Sequence, residues 1–204
     1  MASWRTPEEK QALFEEVALT HLPGLFYAAL RLSGRPADAE DLVQETMLRA
    51  WGAFDRFRLG TNARAWLYRI LHNTFLNHVR RAEYRRTRPF SADARHNGGD
   101  LSSGTALFSG QALPDPAEIV LGRTLDARLA AALMALPAAF RAAVVVVDVG
   151  GFAYEEAAAI LGCPVGTVRS RLHRARTLLR RALLEGAADA AAEETHGVRV
   201  SGAG

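Results

Sequence analysis

Lysine is all but missing from this chain of 204 residues: of its 25 basic residues, Lys10 is the only lysine. Cysteine is as scarce. Cys163 stands alone, so no internal disulfide can form, which fits a reducing compartment. No apolar run approaches the roughly 20 residues needed to span a bilayer. The start, Met1 to Arg5, leads into Glu8-Glu9-Lys10 without the apolar core of a signal peptide. These absences predict a cytoplasmic protein with no membrane insertion. Catalytic constellations are missing too. Asp38, Asp41 and Glu45 share one helical face, but no metal-ligand spacing, phosphate loop or partnering His accompanies them. Tyr68 is the only conceivable nucleophile in the basic segments, and it lacks partners. The expectation is a non-enzyme with no catalytic residue, cofactor or metal.

What is present is arginine, unevenly placed. Seven arginines between Arg64 and Arg88 face the single acid Glu83, and six between Thr167 and Leu184 face none. The acids collect elsewhere, notably at Asp38, Glu40, Asp41 and Glu45. The net charge of +3 therefore hides two separate cationic segments, suited to two contacts with a polyanion. A codon bias toward arginine accounts for the choice over lysine, but not for the missing acids. With 49% apolar and 23% charged residues, the chain can bury a core and is not wholly disordered.

Periodicity divides the chain into two helical modules, giving an all-α fold. Residues 1–88 read as helices. Leu22, Leu25, Phe26, Ala29 and Leu30 recur at helical spacing, and Ser33-Gly34-Arg35-Pro36 is a stop followed by a start. Asp38 to Phe54 carries Val43, Met47, Ala50, Trp51 and Phe54 on one stripe, with Asp41, Gln44, Glu45 and Leu48 on another face. A loop over 56–62 precedes a long helix whose apolar side is Trp66, Leu67, Ile70, Leu71, Thr74 and Phe75. Between 89 and 116, eleven of 28 residues are Gly, Ser or Pro and periodicity vanishes, which predicts a flexible linker. As a coil it would span roughly 30 Å. Residues 117–184 are helical again, broken at Leu136-Pro137, Gly150-Gly151 and Gly162-Cys163-Pro164; residues 185–204 lack a core stripe and read as a frayed tail.

The sharpest motif lies at 153–184. A short helix ends at Gly162, a residue free to take the left-handed position that closes helices. Thr167 can cap a following helix whose buried side would be Val168, Leu172, Ala175, Leu178 and Leu179. Its other side presents Arg169, Ser170, His173, Arg174 and Arg176. This is a helix-turn-helix, which places the start of its second helix in the DNA major groove, where arginine can bind guanine or phosphate. In the first module the helix after Asn62 interleaves aromatics with Arg64, Arg69, Arg80 and Arg81, a pattern suited to single strands. Trp66 and Phe75 read mainly as core; Asn73, Asn77 and Arg80 are the better contact candidates.

Three blocks, PADAEDLVQETMLRAW (36–51), FRLGTNARAWLYRILHNTFLNHVRR (57–81) and GFAYEEAAAILGCPVGTVRSRLHRARTLLRRAL (151–183), resemble the conserved segments of extracytoplasmic-function (group IV) sigma factors. The second block, taken with FRAAVVVVDVGGFAYEEAA, is most similar to the actinobacterial subgroup that answers thiol oxidation. The resemblance implies sigma region 2 over 1–88 and sigma region 4 over 117–184. It implies that Asp38, Asp41, Gln44, Glu45 and Leu48 dock on the β′ clamp helices of core RNA polymerase, with a further contact to the β flap. Phe57, Thr61, Asn62, Asn73, Thr74, Asn77, Arg80 and Arg81 would capture the melted −10 strand. Thr167, Arg169, Ser170, Arg171, His173 and Arg174 would read the −35 duplex. An anti-sigma factor is the expected inhibitor, a zinc-binding redox sensor in that subgroup.

Two other readings compete. A regulator that binds operators independently of polymerase would need a dimerising surface and a ligand or phosphoacceptor site, and neither is visible. A nuclease or recombinase would need carboxylates or an activated hydroxyl within the basic face.

Overall fold

The computed structural model describes residues 6–87 and 127–200, with side chains described over 6–85 and 127–185. Among these residues every regular element is helical. The expected linker, 89–116, and the start of the second module, 117–126, lie outside the described residues.

Helix α1, Pro7–Leu19, begins where the Thr6 hydroxyl accepts a bond from the Glu9 amide at 3.2 Å, with proline in the first turn. Helix α2, Leu22–Ser33, stops at Gly34, whose amide donates to the Leu30 carbonyl. Helix α3, Pro36–Ala53, follows at once and runs into a short 3₁₀ turn, Phe54–Arg56. Helix α4, Ala63–Thr87, is the long helix of the first module. Leu25, Leu42, Leu67 and Leu71 are essentially water-free where these helices meet. Each contributes about 1.5–3 kcal/mol of transfer energy relative to an exposed side chain. Two stripe assignments shift. Leu42 and Thr46 join Val43 and Ala50 on the buried side of α3, whereas Trp51 lies at its edge, 37% exposed, with the Lys10 ammonium 4.8 Å from its ring.

In the second module, helix α5 (127–135) ends at Leu136-Pro137. Helix α6, Ala138–Val144, continues into one π turn, Val145–Val149, closed by the Gly150 amide on the Val145 carbonyl at 2.8 Å. Only glycine fits position 150: a Cβ there would lie 2.6 Å from the Val146 carbonyl oxygen and 3.0 Å from the Phe152 ring. Helix α7 is Tyr154–Leu161 and helix α8 is Val165–Val200. The backbone of α8 thus stays helical where the sequence suggested fraying after 184. The Ala- and Glu-rich composition of 187–194 explains this, since both residues favour the helix intrinsically.

The modules pack on each other, with one continuous core running through both. Phe152, 4% exposed, sets its ring edge-on to Tyr68 of α4, centroids 4.8 Å apart. Arg141 of α6 reaches across to the end of α2, where its Nη1 donates to the Leu32 carbonyl at 2.6 Å. A cation there meets carbonyls that lack helical partners. The same guanidinium donates to the Met134 and Leu136 carbonyls at the end of α5.

Candidate polymerase and promoter interfaces

Three surfaces carry the candidate residues. On α3, Asp38, Asp41, Gln44 and Leu48 face solvent, Leu48 at 67% exposure. Glu45, on the same face, is half-buried because two neighbours hold it. Arg49 donates to its Oε1, and His78 of α4 meets its Oε2 at 2.5 Å. Burial alone would push this carboxyl up, but His78 and Arg49 outweigh it and hold it below the usual range. The acidic face is therefore fixed to the long helix of its module.

The second surface joins the loop before α4 to one side of that helix. Asn62 caps α4, its Oδ1 accepting from the Ala65 amide at 3.0 Å. Thr61 is exposed, and its hydroxyl donates to the Arg58 carbonyl at 2.6 Å. Asn73 and Arg80 are exposed and Asn77 half-buried. Together with exposed Arg69 they are spaced four, four and three residues apart, which sets them on one strip at 3.6 residues per turn. Arg81 is exposed and follows Asn77 by four residues, at the edge of that strip.

The third surface is the helix-turn-helix. Gly162 takes the left-handed conformation, φ +63°, and its amide donates to the Ala158 carbonyl. Val168, Leu172 and Ala175 bury one side of α8, leaving Arg169, Ser170, His173 and Arg174 exposed. Those four positions recur at helical spacing, so they form one outward face.

Sequence comparison finds two family matches, Sigma-70 region 2 over residues 17–85 and Sigma-70, region 4 over 126–179. The chain is 40% identical over 187 residues to the ECF RNA polymerase sigma factor EcfG of Rhodopseudomonas palustris, covering 91% of this chain and 94% of that protein. The chain belongs to the ECF RNA polymerase sigma factors. It is also 40% identical over 167 residues to the ECF sigma factor SigE of Mycolicibacterium smegmatis, 82% of this chain but 60% of that longer protein. The sigma factor RpoE of Bartonella quintana, crystallised with the anti-sigma factor NepR, superposes with a TM-score of 0.57 at 34% identity, covering 87% of this chain and 98% of that one. None of these three names carries the thiol-oxidation role to which the finer resemblance points.

Within this sigma factor several candidate residues stand differently from expectation. Phe57 is only 5% exposed and sits among Phe54 and Trp66, ring centroids 5.8 and 4.7 Å away, so its side chain shapes the loop from beneath. Thr74 is fully buried and its hydroxyl donates to the Ile70 carbonyl at 2.9 Å, which leaves it no surface for a strand. Thr167 does not cap α8, which starts at Val165: the Thr167 and Val168 amides already donate to the Pro164 carbonyl. Arg171 turns from the outward face toward the Cys163 sulfur, 3.7 Å away. Leu178, expected inside, is 43% exposed. Arg176 has an acid after all, because the chain brings Asp148 from the π turn to form a two-pronged pair at 2.5 and 3.2 Å. Tyr68 is buried, its hydroxyl donating to the Gly24 carbonyl at 3.0 Å, and burial pushes its pKa up; both oppose a nucleophilic role.

The sequence pattern counted Arg69 among the arginines suited to single strands but did not name it among the strand-capturing residues, although its four-residue spacing to Asn73 and Asn77 was legible. It also passed over Leu59, 48% exposed at the tip of the loop. An isolated apolar residue between Arg58 and Gly60 gave no periodic signal.

Proposed function

We propose that this chain directs core RNA polymerase to specific promoters and starts transcription there. The exposed face of α8 reads the −35 duplex, and the loop at 58–62 with the strip on α4 holds the melted −10 strand. The acidic face of α3 docks on polymerase at the β′ clamp helices. The observation that carries this reading is the outward row of Arg169, Ser170, His173 and Arg174 on a helix-turn-helix in a chain that also bears a region 2 module.

Duplex opening costs a few kcal/mol per unstacked base, so pockets that hold extruded bases shift the balance toward the open complex. Exposed arginines at either end supply phosphate contacts. No covalent step falls to this chain, and polymerase does the chemistry. No helix among the described residues is long and apolar enough to cross a membrane, in keeping with work in the cytoplasm. An anti-sigma protein would hold the factor in reserve. The match to EcfG over nearly that protein's whole length, and the likeness to a sigma factor crystallised with NepR, favour an inhibitor of the NepR kind over a zinc-binding redox sensor.

Run-off transcription tests the proposal. Core polymerase supplied with this chain should start RNA at discrete sites on fragments of its own genome, and those sites should share upstream elements. A chain that leaves core enzyme silent on every fragment ends the reading. Gel filtration with core polymerase separates it from a regulator that binds operators alone, which would elute apart.

A further inference from the structure

The two arginines in the outward row of α8 do not stand alike. Arg169 has its guanidinium carbon 5.7 Å from the centre of the Tyr154 ring. That lies inside the roughly 6 Å within which a ring face attracts a cation. Among the described residues Arg169 is the one member of the row with a ring against its charge.

Tyr154 is itself firmly set. It opens α7, is half-buried, and packs against the core, so the fold fixes its ring from one side. On α8 it meets a second arginine. Arg176 is gripped by Asp148 of the π turn at 2.5 and 3.2 Å. Asp148 first, and the Tyr154 hydroxyl to a smaller degree, push the pKa of Arg176 above its ordinary value. Positions 169 and 176 are seven residues apart, two turns along one face of the helix. Tyr154 thus spans both turns, with its ring at Arg169 and its hydroxyl toward Arg176.

What the ring does for Arg169 follows from the chemistry of the pair. An aromatic face attracts a guanidinium without taking any of its N–H donors, so Arg169 is held while its fork stays free. A long side chain that swings freely loses rotamer entropy when it docks, and one already held loses less. Arg169 is therefore partly ordered before it meets a duplex.

We propose that Tyr154 is a positioning residue for −35 recognition: its ring face holds the Arg169 guanidinium toward the groove, and the Asp148–Arg176 pair braces the ring. This rests on the function proposed above, and adds to it a residue outside the reading row.

Ring electrostatics can be changed without changing ring shape, which gives the test. In the full-length chain, Tyr154→Phe keeps the ring and should keep the affinity. Pentafluorophenylalanine at position 154 keeps the shape but reverses the charge of the ring face. Each chain would be titrated, in low salt where weakened chains still bind, against a short duplex. The duplex would come from the −35 segment of a start site mapped by run-off. The fluorinated chain should bind about two- to fivefold more weakly than the Tyr154→Phe chain. That difference should disappear when Arg169→Ala is added and persist when Arg174→Ala is added, whereas a general packing effect would persist in both. Equal binding by the two ring versions would overturn the proposal. So would a difference that survives Arg169→Ala, since the ring would then meet DNA itself, or a clear loss with Tyr154→Phe, which would assign the role to the hydroxyl. Failure of the proposed function shows separately, as a parent chain that starts no RNA and yields no start site.

Discussion

Helices α4 and α8 are both proposed to bring arginines to nucleic acid, yet they are built in opposite ways. Helix α4 is a core element. Leu67, Tyr68, Leu71, His72, Thr74 and Phe75 are all buried, and only a narrow strip remains for contact. Helix α8 buries Val168, Leu172 and Ala175 near its start and leaves the rest of that segment open. A helix wrapped by its neighbours can hold an irregular single strand because its few free side chains are fixed. One lying on a small module can enter a groove because most of its circumference is free. Substitutions should therefore cost stability on α4 and affinity on α8.

The largest effect should follow Phe75→Ala. Removing a ring that is 5% exposed leaves a void in the first module, and about 3–5 kcal/mol should be lost in urea unfolding. A loss under 1 kcal/mol would mean that α4 is not the core element described.

Acid should come next, through His72. This ring is 6% exposed with no partner for Nδ1, and burial, aided by Arg171, lowers its pKa to about 4. The unfolded chain takes up the proton near pH 6.5 and the folded one only near 4. The stability carried by the neutral ring is thus present above 6.5 and lost as pH falls toward 4. Between pH 7 and 5 the loss should be about 2 kcal/mol. His72→Leu should flatten that slope, and an unchanged slope would assign it to other groups.

On α8 the order reverses. Arg174→Ala should leave the unfolding midpoint in place and weaken −35 duplex binding roughly tenfold, about 1.4 kcal/mol. If Arg174 meets a phosphate, the slope of log affinity against log salt should also flatten by about 0.9. The smallest effect belongs to Asp148→Asn. The Asp148–Arg176 pair is largely solvent-facing, so its loss should cost under about 1 kcal/mol and vanish in high salt.

Much of this was legible in the chain, for identifiable reasons. The stops at Gly34, Pro137, Gly150 and Gly162 are local and were read correctly, because backbone preference acts within a few residues. The outward row on α8 followed from helical spacing alone. Phe57 was misjudged because its burial depends on Phe54 and Trp66 converging from either side of the loop, which one-helix periodicity cannot register. Thr74 was placed on the apolar side and also offered to DNA; the structure sides with the first, since its hydroxyl is satisfied within its own helix. The contact between the modules was invisible for a plainer reason. Asn62 and Glu156 are 94 positions apart, and neither residue type announces a partner at that range.

One shared carboxylate has a further consequence. Glu45 lies on the face offered to polymerase and also holds His78, one position from Asn77 on the strip offered to DNA. A partner that recruits Glu45 competes with an imidazole for it. Whatever engages that carboxylate from outside therefore also pulls on the tie between α3 and α4.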